Sequence, residues 1–98
     1  MKLHEFHPEA RAEYADAARH YAGIGPELGE RFYREIENLI EELCNRPLLF
    51  RAFDPPARRH FGFRFPHAVI YLDEPDRIWI VAVMHFKKQP GYWRGRLD

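Results

Sequence analysis

The sequence predicts an α+β domain in which a short first strand, a hairpin of two helices and a three-stranded antiparallel meander follow in the order β-α-α-β-β-β. Three observations predict it. Apolar residues recur every three or four positions through the first half, the period shortens to two near residue 61, and Pro47, Pro55 and Pro56 punctuate the change. The chain of 98 residues suits one core and not two, so 1–98 reads as a single domain. With 46% hydrophobic and 15% aromatic residues, it holds enough apolar surface to offset the entropy of ordering.

Residues 2–6, KLHEF, set Leu3 between polar neighbours and form the first strand. In HPEARAEYADAARHYAG, Pro8 suits the first helical position and Glu9 the positive helix end, while Ala10, Tyr14, Ala17, Ala18 and Tyr21 share one face. His7, just before Pro8, is placed to cap this helix. Gly23 and Gly25 make a turn. Pro26 and Glu27 then open a second helix, with Leu28, Phe32, Ile36, Leu39, Ile40 and Leu43 on its apolar stripe and an end near Asn45. The short link favours an antiparallel hairpin whose stripes face a common surface, the sheet. Phe61, Phe63 and Phe65 alternate with Gly62 and Arg64 as a half-exposed strand, closed by Pro66. HAVIYLD and RIWIVAVMH are two antiparallel strands around the turn EPDR. The run IWIVAVM at 78–84 does not alternate, which places it centrally with both faces covered. The helices cover one face, so the C-terminal tail or a partner chain must cover the other.

Several classes of protein lose support. The lone Cys44 falls in register with apolar helical positions, which suits buried packing and a reducing cytoplasm. MKLHEFHPEA has no apolar stretch of signal-peptide length, and IWIVAVM is too short to span a bilayer, so neither export nor membrane insertion is expected. His4 and His7 straddle a strand-to-helix junction with no cysteine or acidic triad beside them, so no metal is expected, and no other cofactor. A glycine-rich phosphate loop, a serine elbow and a paired-carboxylate spacing are likewise missing.

Net charge is zero, but residues 1–45 carry five Lys/Arg against ten Asp/Glu, and residues 46–98 carry ten against five. An anionic partner would therefore meet the second half. Its most concentrated stretch is AVMHFKKQPGYWRGRL, 82–97, where Lys87, Lys88, Arg94 and Arg96 interleave with Tyr92 and Trp93. Cations with stacking faces suit a macromolecular target. The alternative is that Tyr92 and Trp93 fold back over the sheet while the charges keep the tail in water. His85 is either a strand-end residue satisfied by backbone or a proton carrier with near-neutral titration.

These residues resemble a family. The strand ending AVMH, the tail KKQPGYWRGRL, the meander RRHFGFRFPHAVIYLDEPDRIWIVAV and the first strand followed by PEARAEYADAARHY look like a RelE/ParE-superfamily toxin of a type II toxin-antitoxin system. The resemblance covers nearly the whole chain and implies the β-α-α-β-β-β fold and a wrapping antitoxin, hence a hetero-oligomer. It also implies one of two activities. RelE-like members are ribosome-dependent endoribonucleases of messenger RNA; ParE-like members poison DNA gyrase by binding. The two arginines expected of the ribonuclease branch fall on Ala68 and Phe86, and losing two preorganised cations, each worth about 3 kcal/mol, costs orders of magnitude in rate. FPHAVIY and HFKKQPGYWRGR are nearer the ParE-like wording, with His67 where those members carry tyrosine and with Lys87 and Lys88 near their arginines.

The resemblance thus points to a ParE-like gyrase inhibitor with Lys87, Lys88, Tyr92, Trp93, Arg94 and Arg96 as its target-facing patch. Leu28, Phe32 and Ile36 are its expected antitoxin-binding stripe. The alternatives are a ribonuclease acting on ribosome and messenger RNA through Arg64, His85, Lys87, Lys88 and Tyr92, and an inactive relative that serves only in operon repression with its antitoxin.

Overall fold

A computed structural model describes residues 1–97. Strand β1 (His4–Phe6) leads into helix α1 (Pro8–Ile24) and helix α2 (Pro26–Asn45). Strands β2 (Ala52–Asp54), β3 (Ala57–Phe61), β4 (His67–Asp73) and β5 (Ile78–His85) follow, and a 3₁₀ turn at Arg94–Arg96 ends the described chain. The sheet order is β1-β5-β4-β3-β2. Strands β2 to β5 are antiparallel neighbours, and β1 lies parallel to β5, pairing His4 with Ile78 and Phe6 with Ile80.

The helices start where their residues allow. Pro8 and Pro26 open α1 and α2, where a missing N–H breaks no bond. The His7 ring accepts from the Glu9 amide at 3.0 Å through Nδ1, capping α1 as its position before Pro8 suggested. Only Gly25 separates the helices, and the hairpin is tight: a Cβ at Gly29 would come within 2.7 Å of the Ala22 Cβ. Phe32, Ile36 and Leu43 of α2 are fully buried against Val69, Tyr71, Ile78 and Ile80 of the sheet. The stripe reserved for an antitoxin is therefore core: Phe32 and Ile36 have no exposed surface, and Leu28 packs partly buried beside them.

Three features differ from expectation. The sheet is mixed rather than wholly antiparallel, because the chain returns past the helical hairpin to add β5 beside β1 in the same direction. A fifth strand, β2, forms in the proline-punctuated segment read as loop. The phenylalanine alternation at 61–65 is not a strand: β3 ends at Phe61, opposite Ala68, and Gly62–Pro66 is the bend into β4. Glu35 of α2 holds that bend by accepting from the Arg64 and Phe65 amides at 3.3 and 3.0 Å. Phe65 turns inward against Tyr21 and Phe32, while Phe63 is wholly exposed.

The irregular period of IWIVAVM has two causes. Both faces of β5 are covered, and the β4–β5 register slips so that Ile70 faces Ala82 while Tyr71 faces Ile80, leaving Val81 as an extra residue. Val81 and Ala82 consequently lie in the same hydrophobic layer, whereas Ile78, Ile80 and Val83 meet the helices.

A valine at position 29 drives its branched side chain into Ala22 across the hairpin. Urea unfolding of Gly29→Val is expected to show about 1–3 kcal/mol lost.

Candidate functional site

The tail leaves β5 at His85 and turns at once. The Phe86 amide donates to the Pro66 carbonyl at 2.9 Å, the Lys88 amide to the His85 carbonyl at 3.0 Å, and the Lys87 amide to His85 Nδ1 at 3.0 Å. Gly91 then takes φ of 77°, where only glycine is unstrained, and the Arg94 guanidinium lies so close that a Cβ would meet it at 2.6 Å. This reversal sends Trp93 under the second face of the sheet.

Trp93 is 1% exposed. It lies in the layer of Ala57, Ala68, Ile70, Val81, Ala82 and Met84, with the Phe53 ring at 5.7 Å, and the three alanines leave room for the indole. Arg96 follows it inward. Its guanidinium takes both Glu13 carboxylate oxygens at 3.0 and 3.1 Å, the Val81 carbonyl at 3.1 Å and the Glu9 carboxylate at 2.8 Å, and it lies 5.1 Å from the Tyr92 ring centre. The Tyr92 hydroxyl donates to Glu13 at 2.7 Å, and burial followed by that acceptor pushes its pKa upward. Glu13 also accepts from the Val83 amide at 3.1 Å, beyond the point where β1 stops pairing with β5. One carboxylate thus ties helix, central strand and tail together.

The six residues expected as one outward patch divide. Trp93 is sealed in the core, and Tyr92 and Arg96 are engaged with α1, so these three are support rather than exposed anchors. Lys87, Lys88 and Arg94 face water. Lys88 Nζ stands 5.5 Å from the Tyr92 ring centre, and Arg94 pairs with Asp54 at 2.6 Å. Lys88 and Arg94 meet Arg59, whose guanidinium lies 4.7 Å from the Phe53 ring centre, around a cleft of about 440 Å³ walled by Phe53, Met84, Phe86 and Pro90; Lys87 is exposed on the turn outside it. Arg64 is not part of this face; it lines a groove against α2.

Two histidines lie at the end of the sheet where the tail departs. His67 faces His85 across β4 and β5 with ring centres 5.0 Å apart, and its Nε2 is 3.2 Å from the Tyr21 hydroxyl. His67 is 5% exposed and its Nδ1 has no partner. Burial, with His85 and His20 nearby, holds its pKa well below 6.5, at about 4. His85 Nδ1 accepts the Lys87 amide, which places the proton of the neutral ring on Nε2 and leaves no free lone pair for a general base. Ala68, where the ribonuclease branch would carry an arginine, is fully buried beneath the tail, and Phe86 is half exposed on its rim. Among the described residues no group of three or more His, Cys, Asp or Glu side chains is arranged to hold a metal, and no helix is long and apolar enough to cross a membrane.

Two helices on one face of a mixed five-stranded sheet, with the C-terminal turn folded against the other, define a small α+β toxin fold of the RelE/ParE kind. The solved structure of a chromosomal ParDE TA system from P. aeruginosa superposes with a TM-score of 0.75 at 20% identity, over 87% of this chain and 96% of that one. A family model, the ParE toxin of the type II toxin-antitoxin system parDE, matches residues 4–90, and the chain belongs to that family. No protein with a curated description matches it. The family match ends at Pro90, just before the residues that close the second core.

Two outcomes follow for stability. Glu13→Ala removes the bidentate partner of the mostly buried Arg96, leaving it Glu9 and the Val81 carbonyl, and strips the Val83 amide and Tyr92 hydroxyl of their acceptor; it is expected to cost about 3–5 kcal/mol in urea unfolding, against less than about 0.5 kcal/mol for Lys87→Ala. His67 binds its proton near pH 6.5 when unfolded and near 4 when folded, so stability is complete above pH 6.5 and falls as pH drops towards 4. Between about pH 7 and pH 5 this one group removes on the order of 2 kcal/mol, and His67→Phe is expected to flatten that part of the profile.

Proposed function

We propose that this ParE-family toxin acts in the cytoplasm by binding DNA gyrase and stalling it, without hydrolytic chemistry of its own, and that a cognate antitoxin neutralises it as a hetero-oligomer. The observation that carries the reading is the family match over residues 4–90. The geometry supports binding over cleavage. Ala68 and Phe86 stand where a ribonuclease needs cations, Tyr92 is held protonated against Glu13, and His85 has its acceptor nitrogen engaged.

Lys87 and Lys88 are the groups on this face free to reach a target, with Arg94, paired to Asp54, and Arg59 near them. Fixed cations of this kind steer association and orient a partner with acidic surface. Tyr92, Trp93 and Arg96 act indirectly, by fixing the turn that displays them.

Purified protein is expected to inhibit gyrase supercoiling and to accumulate cleaved DNA. The double substitution Lys87→Glu/Lys88→Glu should lower potency about tenfold or more, with unfolding temperature unchanged. Transcripts cut at ribosome-occupied codons in a translation extract would establish the ribonuclease instead. Normal growth on expression without antitoxin would establish an inactive relative.

A further inference from the structure

The cleft beside the tail, about 440 Å³, is charged differently from the groove beside α2. Its charged side chains are Arg59, Lys88 and Arg94 against a single carboxylate, Asp54. The groove sets three arginines against Glu35 and Glu42. Arg94 already holds Asp54 at 2.6 Å, whereas Arg59 and Lys88 have no carboxylate partner among the described residues. The side chains around the cleft therefore offer N–H donors and no vacant carboxylate to accept from a ligand.

Aromatic rings stand beside those donors. The Arg59 guanidinium lies 4.7 Å from the Phe53 ring centre and 5.6 Å from that of Phe61. Phe61 in turn meets Phe86 edge to face at 5.8 Å, and these two rings are 45% and 50% exposed. Phe86 stands where the ribonuclease branch would carry an arginine, so this chain presents a stacking face where a cleaving enzyme needs a charge.

The lining calls for an occupant that is anionic, accepts hydrogen bonds and has a flat face. A nucleotide meets all three conditions, since its phosphate only accepts and every base has a face to stack. A peptide brings one N–H per residue, and the one carboxylate in the cleft is already taken by Arg94. A helix is also too large: two turns, about 10 Å across and about 11 Å long, fill roughly 850 Å³. A base stacked inside a duplex presents no face, so the nucleotide must be unpaired.

We propose that this cleft takes an unpaired nucleotide of single-stranded DNA, its base stacked on Phe86 and its phosphates held by Arg59 and Lys88. The proposal rests on the gyrase reading above for the strand being DNA, and it deepens that reading: the toxin recognises the enzyme together with an opened DNA strand rather than the protein alone. Lys87, on the turn outside the cleft, is left to face the protein component.

The test is fluorescence anisotropy of a labelled thymidine octanucleotide titrated with the full chain, beside a gyrase supercoiling assay. Phe86→Ala should weaken oligonucleotide binding about tenfold, as loss of one stacking ring does. Lys88→Gln should lower the slope of log affinity against log salt by about 0.7, one phosphate contact on a single strand. Arg31→Gln, in the α2 groove, should leave both unchanged. Phe86→Ala and Lys88→Gln alter exposed side chains, and the free proteins should unfold at the wild-type temperature. In the supercoiling assay Phe86→Ala should raise the inhibitory concentration about tenfold. If wild type inhibits gyrase and Phe86→Ala is equally potent, the cleft proposal falls while the gyrase reading stands. If the octanucleotide binds as expected but gyrase is not inhibited, the gyrase reading falls and the cleft remains a DNA site in its own right. Tighter binding of a uridine octaribonucleotide at the same residues would overturn the proposal in favour of RNA. Binding of an octapeptide of alternating Asp and Phe there, with none of either oligonucleotide, would overturn it in favour of an acidic protein segment.

Discussion

The Glu13 carboxylate and the Trp93 indole together hold the C-terminal turn against the sheet, and the rest of the architecture depends on that attachment. Strands β4 and β5 are buried on both faces, and the helical hairpin can cover only one. Trp93, over Ala57, Ala68 and Ala82, covers the other. A buried indole alone would leave the turn loosely placed. Arg96, gripping Glu13 through two oxygens and also reaching Val81 and Glu9, fixes its position, because a mostly buried guanidinium is tolerated only with its donors satisfied.

This attachment sorts the basic tail into inward and outward groups. Arg96 is consumed by packing, while Lys88 and Arg94 are displayed around a cleft that Arg59 reaches from β3, and Lys87 is exposed on the turn outside it. The charge imbalance between the two halves of the chain has the same double character. Part of it is internal: Glu9 and Glu13 meet Arg96, Glu5 meets Arg77 and Glu42 meets His60. Of the cations left outside, Lys88 and Arg94 line the tail cleft and Arg31, Arg34 and Arg64 the α2 groove, two separate surfaces of one small domain.

The sequence made the helices legible because their signals are local: Pro8, Pro26 and the three-four spacing of the α2 stripe each act within a few residues. It made the central place of β5 legible through the absence of alternation, though not the slip at Val81, which depends on the partner strand. Phe61, Phe63 and Phe65 misled because a bend held by a helix carboxylate can mimic a strand's alternation, and nothing local to the bend reveals Glu35. The tail residues were identifiable as a group, and the reading in which its rings fold back was open from the start. Their division was not identifiable, since it turns on Glu13, more than 70 positions away from Trp93 and Arg96. The only trace of that contact in the sequence is the acidic first half facing a basic second half.

Equilibrium urea unfolding of the chain stopped after Pro90, compared with the full chain, tests most directly whether the tail is a structural half of the core. Without Trp93 and its anchor the shortened protein should lose at least the 3–5 kcal/mol typical of deleting one buried tryptophan, and its transition should broaden or vanish. A cooperative transition at the same urea midpoint would contradict the account.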